Sequence, residues 1–162
     1  MLKNVSLVML LAGLLFTSCD SKRVYDEYKS LPNGWNKDSI ITFNLKNVDS
    51  LKAYNLFINI RNNNQFKYSN LFLITQMQFP QGKVVTDTLE YEMAAPNGEW
   101  LGTGSGDEKE NKLWYKQNVK FEESGIYQVK IQQAMRKSGS EEGIQNLRGI
   151  TEVGFRIENT QH

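Results

Sequence analysis

Short runs in which apolar and polar residues alternate one for one recur along most of this chain. That period restricts it to strands whose side chains point in turn to two opposite faces. Ile41, Phe43 and Leu45 alternate with Thr42, Asn44 and Lys46, and Leu56, Ile58 and Ile60 alternate with Phe57, Asn59 and Arg61. Within 126–134, Tyr127, Val129 and Ile131 stand against Gln128, Lys130 and Gln132; within 150–158, Val153, Phe155 and Ile157 stand against Gly154, Arg156 and Glu158. Leu71 to Phe79 is more apolar throughout, as a central strand would be. Phe79-Pro80-Gln81-Gly82-Lys83 reads as a hairpin turn into Val84 to Met93, where Leu89, Tyr91 and Met93 oppose Thr88, Glu90 and Glu92. A loop over 94–111 carries Pro96-Asn97-Gly98 and the run Gly102 to Gly106, and short strands are expected at 113–115 and 119–121 beyond it. The asparagines Asn62-Asn63-Asn64 suit a polar hairpin tip, and 137–146 reads as a polar loop.

Seven to eight such strands, with no convincing amphipathic helix, predict an all-β fold: an antiparallel, immunoglobulin-like sandwich occupying 39–162. Ser124-Gly125-Ile126-Tyr127 resembles the tyrosine corner of such folds, in which a tyrosine hydroxyl pins a crossover between sheets. A domain of this size buries roughly two-thirds of its unfolded surface, so it stands without disulfides. The chain has a single cysteine, which excludes an internal disulfide framework and Cys-rich zinc sites. Its one histidine, His162, excludes histidine triads and multi-histidine metal centres.

The chain opens Met1-Leu2-Lys3-Asn4 and continues through the apolar stretch Val5 to Phe16, in which only Ser6 is polar. This is too short to span a hydrocarbon core about 30 Å thick, which takes roughly 20 apolar residues as a helix. Phe16-Thr17-Ser18-Cys19 follows, and the lone cysteine after small residues resembles a lipobox, with Phe16 where leucine is commonest. The resemblance implies a signal peptide over 1–18 and, on Cys19, a diacylglycerol thioether with an acylated new amine. Two or three acyl chains anchor stably where one does not, so the partner expected first is a membrane. The segment 19–38 is read as the lipidated N-terminus and a tether, polar with interspersed aromatics and a Pro32-Asn33-Gly34 turn. Asp20 after the cysteine resembles the inner-membrane retention signal of enterobacterial lipoproteins, while Asp20-Ser21-Lys22-Arg23 lacks the acidic run that resembles a surface-export signal; the position favoured is periplasm-facing, on the outer membrane. A leader ending at Ser18 removes only Lys3 among the charges and leaves 18 basic and 18 acidic residues. Such a balance gives no basic surplus for a nucleic-acid partner.

Catalytic chemistry finds little footing. The glycine run lacks the Lys-Ser/Thr of a phosphate loop. Lys109 breaks the alternate-residue spacing a calcium loop would need within Asp107-Glu108-Lys109-Glu110. Glu90 and Glu92 form a carboxylate pair of the kind glycoside hydrolysis uses, with no partner placed by the sequence. No enzyme, cofactor or metal is expected. Trp35, Trp100, Trp114 and Tyr115 fall in or beside loops, where they are the candidates for contacting a protein partner or stacking on a glycan.

Several segments together are recognisable. Cys19 to Tyr28 with Leu31-Pro32-Asn33-Gly34-Trp35, Ile60-Arg61-Asn62, Tyr68-Ser69-Asn70-Leu71-Phe72-Leu73, Gly98-Glu99-Trp100-Leu101-Gly102 with Gly104-Ser105-Gly106, Gln133-Ala134-Met135-Arg136 and Gly149 to Gly154 resemble the gliding-motility lipoprotein family GldH of Bacteroidota. The resemblance spans essentially the whole chain after Ser18. It implies a lipid-anchored, non-enzymatic component of an envelope complex for gliding motility, linked to type IX secretion, with Cys19 as the one site residue to carry over. A glycan-binding module using the loop aromatics is the alternative.

Overall fold

A computed structural model describes residues 20–46 and 48–160. The proposed leader and Cys19 lie outside them. Ten strands run in chain order: β1 (Arg23–Ser30), β2 (Trp35–Asn36), β3 (Ile41–Leu45), β4 (Tyr54–Asn62), β5 (Asn70–Gln78), β6 (Val84–Glu92), β7 (Lys109–Val119), β8 (Tyr127–Gln133), β9 (Asn146–Leu147) and β10 (Ile150–Asn159). Two four-stranded antiparallel sheets, ordered β1-β10-β4-β7 and β3-β8-β5-β6, form a sandwich. The pair β2-β9 stands apart from both.

The alternating positions become the core. Leu56, Ile58 and Ile60 of β4 and Val153, Phe155 and Ile157 of β10 are buried with Phe43, Leu45, Leu71, Leu73, Val129 and Ile131 of the facing sheet. Phe43 and Phe155 meet across it at 6.0 Å between ring centroids. Each fully buried side chain of this size contributes roughly 1.5–3 kcal/mol relative to exposure. β5 and β6 are joined through the expected hairpin, with the Phe79 N–H donating to the Lys83 carbonyl (2.8 Å).

One end of the sandwich is closed by an aromatic cluster. Phe121 lies between Tyr54 (5.7 Å) and Tyr127 (4.8 Å), and Phe79 packs on Tyr127 at 5.1 Å. The Tyr127 hydroxyl accepts from the Glu123 N–H (2.9 Å), four residues upstream, which is the tyrosine-corner bond the sequence resembled. Tyr54 does the same for the Asp49 N–H (2.9 Å) at the entrance to β4.

Three expectations require correction. The segment read as a tether contributes strands instead: Arg23–Ser30 is an edge strand paired with β10 from Arg23↔Glu158 to Ser30↔Glu152, and Trp35–Asn36 pairs with β9. Asp26 pairs with Arg156 of β10, the Ser30 hydroxyl donates to Glu152 and Tyr28 donates to Glu110, while Glu27 and Lys29 pair within the strand, so part of this polarity is engaged rather than belonging to free chain. The two short strands expected at 113–115 and 119–121 are one strand, β7. It absorbs irregularities opposite Tyr54 to Phe57, and Asn118 takes the left-handed φ of 53°. Phe121 then lies beyond the strand. The asparagine run is not a free tip either, since Asn62 is buried within β4 and accepts from Asn111 Nδ2 (2.8 Å).

Gly149, with φ +88°, turns the chain from β9 into β10, and a Cβ there would overlap the Phe66 backbone nitrogen. Gly149→Ala should therefore destabilise by more than about 4 kcal/mol or abolish folding, as read by chemical denaturation. Gly82→Ala, at φ +94° but in open space, should cost only about 1–2 kcal/mol.

Candidate functional site

The outward face of the β1-β10-β4-β7 sheet carries side chains that would be solvated on an ordinary strand but here build a second, ordered layer. Gly154 makes room for it: a Cβ at that position would stand 2.8 Å from Tyr28 Cδ1. The Tyr28 ring thus lies across β10, where its hydroxyl accepts from Asn59 Nδ2 (2.8 Å) and donates to Glu110 Oε1 (2.5 Å). Arg61 caps the ring, its Cζ 4.4 Å from the centroid, and pairs with both Glu110 and Glu152. Further along, Arg156 binds Asp26 (2.9 Å), Glu158 (2.7 Å) and Asp20. Lys112 reaches Glu158 (2.6 Å) while its ammonium sits 4.2 Å over the Phe57 ring.

Trp114 ends this layer. It is 51% exposed on β7 and lies 4.4 Å from Phe57, which it shields. Tyr115, the next residue, points the other way, as the strand period requires. It packs against Phe155 and donates to Asp87 Oδ2 (2.8 Å). Tyr91 donates to the Trp114 carbonyl (2.7 Å), so the two edge strands β6 and β7 are laced together beneath the exposed indole. Burial pushes the Tyr91 hydroxyl up to about 12.

A second feature lies at the end of the sandwich opposite the Phe121 cluster. An open groove of about 710 Å³ is lined by Trp100, Tyr68, Asn70, Glu90 and Lys67 among others. Trp100 is half-buried on Phe66 (5.9 Å), and Asn70 Nδ2 donates to Glu90 Oε1 (3.0 Å). An aromatic floor with amide and carboxylate neighbours can take a polar ligand that offers both a flat face and hydroxyls.

The four aromatic candidates are thus dispersed. Trp35 is not available for contacts: it is fully buried, donates its indole N–H to the Ser39 carbonyl (3.1 Å), and pairs through β2 with Leu147. Gln133 fastens this corner by donating to the Ile144 carbonyl (2.7 Å) and accepting from the Met135 N–H (2.9 Å). Tyr115 is partly buried with its hydroxyl engaged, Trp100 lines the groove, and Trp114 alone of the four stands out on a sheet face. Cys19 lies outside the described residues. The carboxylates of 107–110 diverge: Asp107 accepts from Asn64, Glu108 from Thr151, and Glu110 from Tyr28 and Arg61. Among the described residues no group of three or more Cys, His, Asp or Glu is placed to hold a metal.

Sequence reasoning missed the Tyr28–Arg61–Glu110 and Arg156–Asp26–Glu158 clusters because they join residues far apart in the chain. A signal was present in Phe57 and Gly154, an aromatic and a glycine at positions that alternation assigns to solvent.

Burial works against the Glu158 carboxylate, yet Lys112 and Arg156 hold it below the usual range of 4.5; burial likewise opposes Asp87, and Lys116 and Tyr115 hold it below 3.8. Lowered folded values mean stability present above the unfolded values and lost as pH falls through the folded ones. Unfolding free energy should therefore be level near neutrality and decline below about pH 4.5. Glu158→Gln should flatten part of that decline in denaturation curves taken against pH.

The profile of a family described as GldH lipoprotein matches residues 23–157. The gliding motility lipoprotein GldH homolog of Christiangramia forsetii is 67% identical over 149 residues, covering 92% of this chain and 91% of that relative. Gliding motility lipoprotein GldH of Flavobacterium johnsoniae is 54% identical over 151 residues, covering 93% and 94%. Among solved structures, that of the infectious bursal disease virus Gx strain matches 83% of this chain and 29% of that one at 14% identity, with a TM-score of 0.37. That likeness is too slight to bear on fold or function.

Proposed function

The chain belongs to the GldH lipoprotein family, and on that premise we propose that it is a lipid-anchored, non-enzymatic part of the cell-envelope gliding machinery, linked to type IX secretion, that works by protein contacts. Cys19 carries the lipid in this reading, after removal of 1–18, and the domain faces the periplasm from the outer membrane. The observation that carries the contact role is Trp114, an indole half exposed on an otherwise interlocked sheet face, with Phe57 beneath it and Lys112 beside it. A rigid aromatic set among fixed charges is the composition of a binding hot spot. Because the surrounding side chains already hold one another, docking there orders little and loses little entropy.

A glycan in the Trp100 groove is the second reading, favoured by the Tyr68, Asn70 and Glu90 side chains around the indole. The two readings use different ends and faces, so they separate experimentally. In-cell crosslinking of the tagged lipoprotein, with mass spectrometry of what copurifies, should recover motility or secretion components. Recovery should fall about tenfold in Trp114→Ala, the loss expected for a hot-spot aromatic, and vanish in Cys19→Ala through mislocalisation. Recovery unchanged in Trp114→Ala would reject that face. Quenching of tryptophan fluorescence by envelope polysaccharides, abolished in Trp100→Ala, would instead establish the glycan reading.

A further inference from the structure

The two ends of the sandwich expose different chemistry. Where β1 begins and β10 finishes, Lys22, Lys52 and Lys120 line a pocket of about 460 Å³ with Ser21, Leu51 and Asn159. All three lysines are exposed. Among the described residues only Lys52 of the three nears a carboxylate, Asp49 at 3.9 Å, and an exposed pair at that distance neutralises little. Of the acidic groups at this end, Asp20 is paired with Arg156 and Asp49 caps the Leu51 N–H, while Glu123 accepts from the Gln81 N–H and Glu122 is exposed. The pocket itself is lined by the three lysines and by no carboxylate.

Leu51, at the tip of the loop between β3 and β4, is 89% exposed. Val84 and Ile126, in or beside strands that start at the same end, are 51% and 53% exposed. Single apolar side chains are exposed elsewhere too, as at Leu101; here Leu51 shares its pocket with three lysines. They suit the boundary of a bilayer, where the apolar tips enter the headgroup layer and the ammonium groups meet phosphate.

Position in the chain selects this occupant. Cys19 directly precedes Asp20, and consecutive Cα atoms are about 3.8 Å apart. Asp20 is bound to Arg156, its carbonyl accepts from the Arg23 N–H (3.2 Å), and the Asn159 N–H donates to the Lys22 carbonyl (2.9 Å). A lipid on Cys19 would therefore leave the protein at the lysine-bearing end with almost no slack. We propose that this end, with Lys22, Lys52 and Lys120 around Leu51, sits on the anionic phospholipid headgroups of the membrane that holds the anchor. The domain then stands on the bilayer instead of swinging from it. The proposal rests on the lipidation of Cys19.

The test is hydrogen exchange of the full lipoprotein in phosphatidylcholine liposomes with and without phosphatidylglycerol, in which mass spectrometry also weighs the Cys19 peptide. With phosphatidylglycerol, amides of 48–53 and 120–126 should exchange more slowly than in phosphatidylcholine or detergent. The protection should fade as salt is raised, and 94–101 at the far end should not change. Lys22→Gln, Lys52→Gln and Lys120→Gln together should remove it, with the seated population falling roughly fivefold per lysine. Equal exchange in both liposomes, with acyl chains present on Cys19, would overturn the seat and leave the anchor standing. A Cys19 peptide without lipid would overturn both, and protection by inorganic phosphate in detergent would assign the lysines to a free anion instead.

Discussion

Among the eight long strands, only the link from β5 to β6 stays within one sheet; each of the others carries the chain from one sheet to the other. Neither sheet can therefore be completed alone, and the core forms from strands distant in sequence, a topology whose loop-closure cost comes before its contacts repay it. The crossovers are held where they bend. Tyr54 and Tyr127 begin β4 and β8 with hydroxyls fixed to upstream backbone, and Phe121 joins their rings. This cluster at one end and the turn at Gly149 near the other set the registers that every further feature uses.

Once β4 and β10 are central strands with a core beneath them, their outward residues are the natural place for a second layer. A charge largely removed from water must be paired and hydrogen-bonded, and Arg156, partly buried, meets that demand with three carboxylates. Such a network adds more to definition than to stability, because desolvation offsets much of the Coulombic attraction. It gives Trp114 surroundings whose geometry the chain itself fixes. Tyr28 belongs to the same layer, so the N-terminal edge strand is part of the site's foundation.

Much of this was legible in the sequence. The strands Ile41–Leu45, Val84–Glu92, Tyr127–Gln133 and Ile150–Asn159 follow alternation that one buried face imposes, and the Tyr127 corner was visible from four residues. Arg23–Ser30 was not, because a mostly polar edge strand, joined to β10 by its ladder and by the Asp26–Arg156 pair, has the composition of a linker. Trp35 read as a loop aromatic, since the two-residue strand and the Gln133 bonds that bury it come from elsewhere in the chain. The Trp100 groove was half legible: the indole and Glu90 were singled out separately, and only the fold places them beside each other.

The edge strand has a mechanical meaning. β1 starts just after the residue proposed to hold the lipid and runs antiparallel to β10 along its length. A pull between that residue and the far end of the sandwich acts along β1 and across its hydrogen bonds, loading them together in shear instead of peeling them one by one. Resistance to such a force is governed by the unfolding rate rather than by equilibrium stability. A domain attached in this way transmits tension from the membrane to its opposite end with little give.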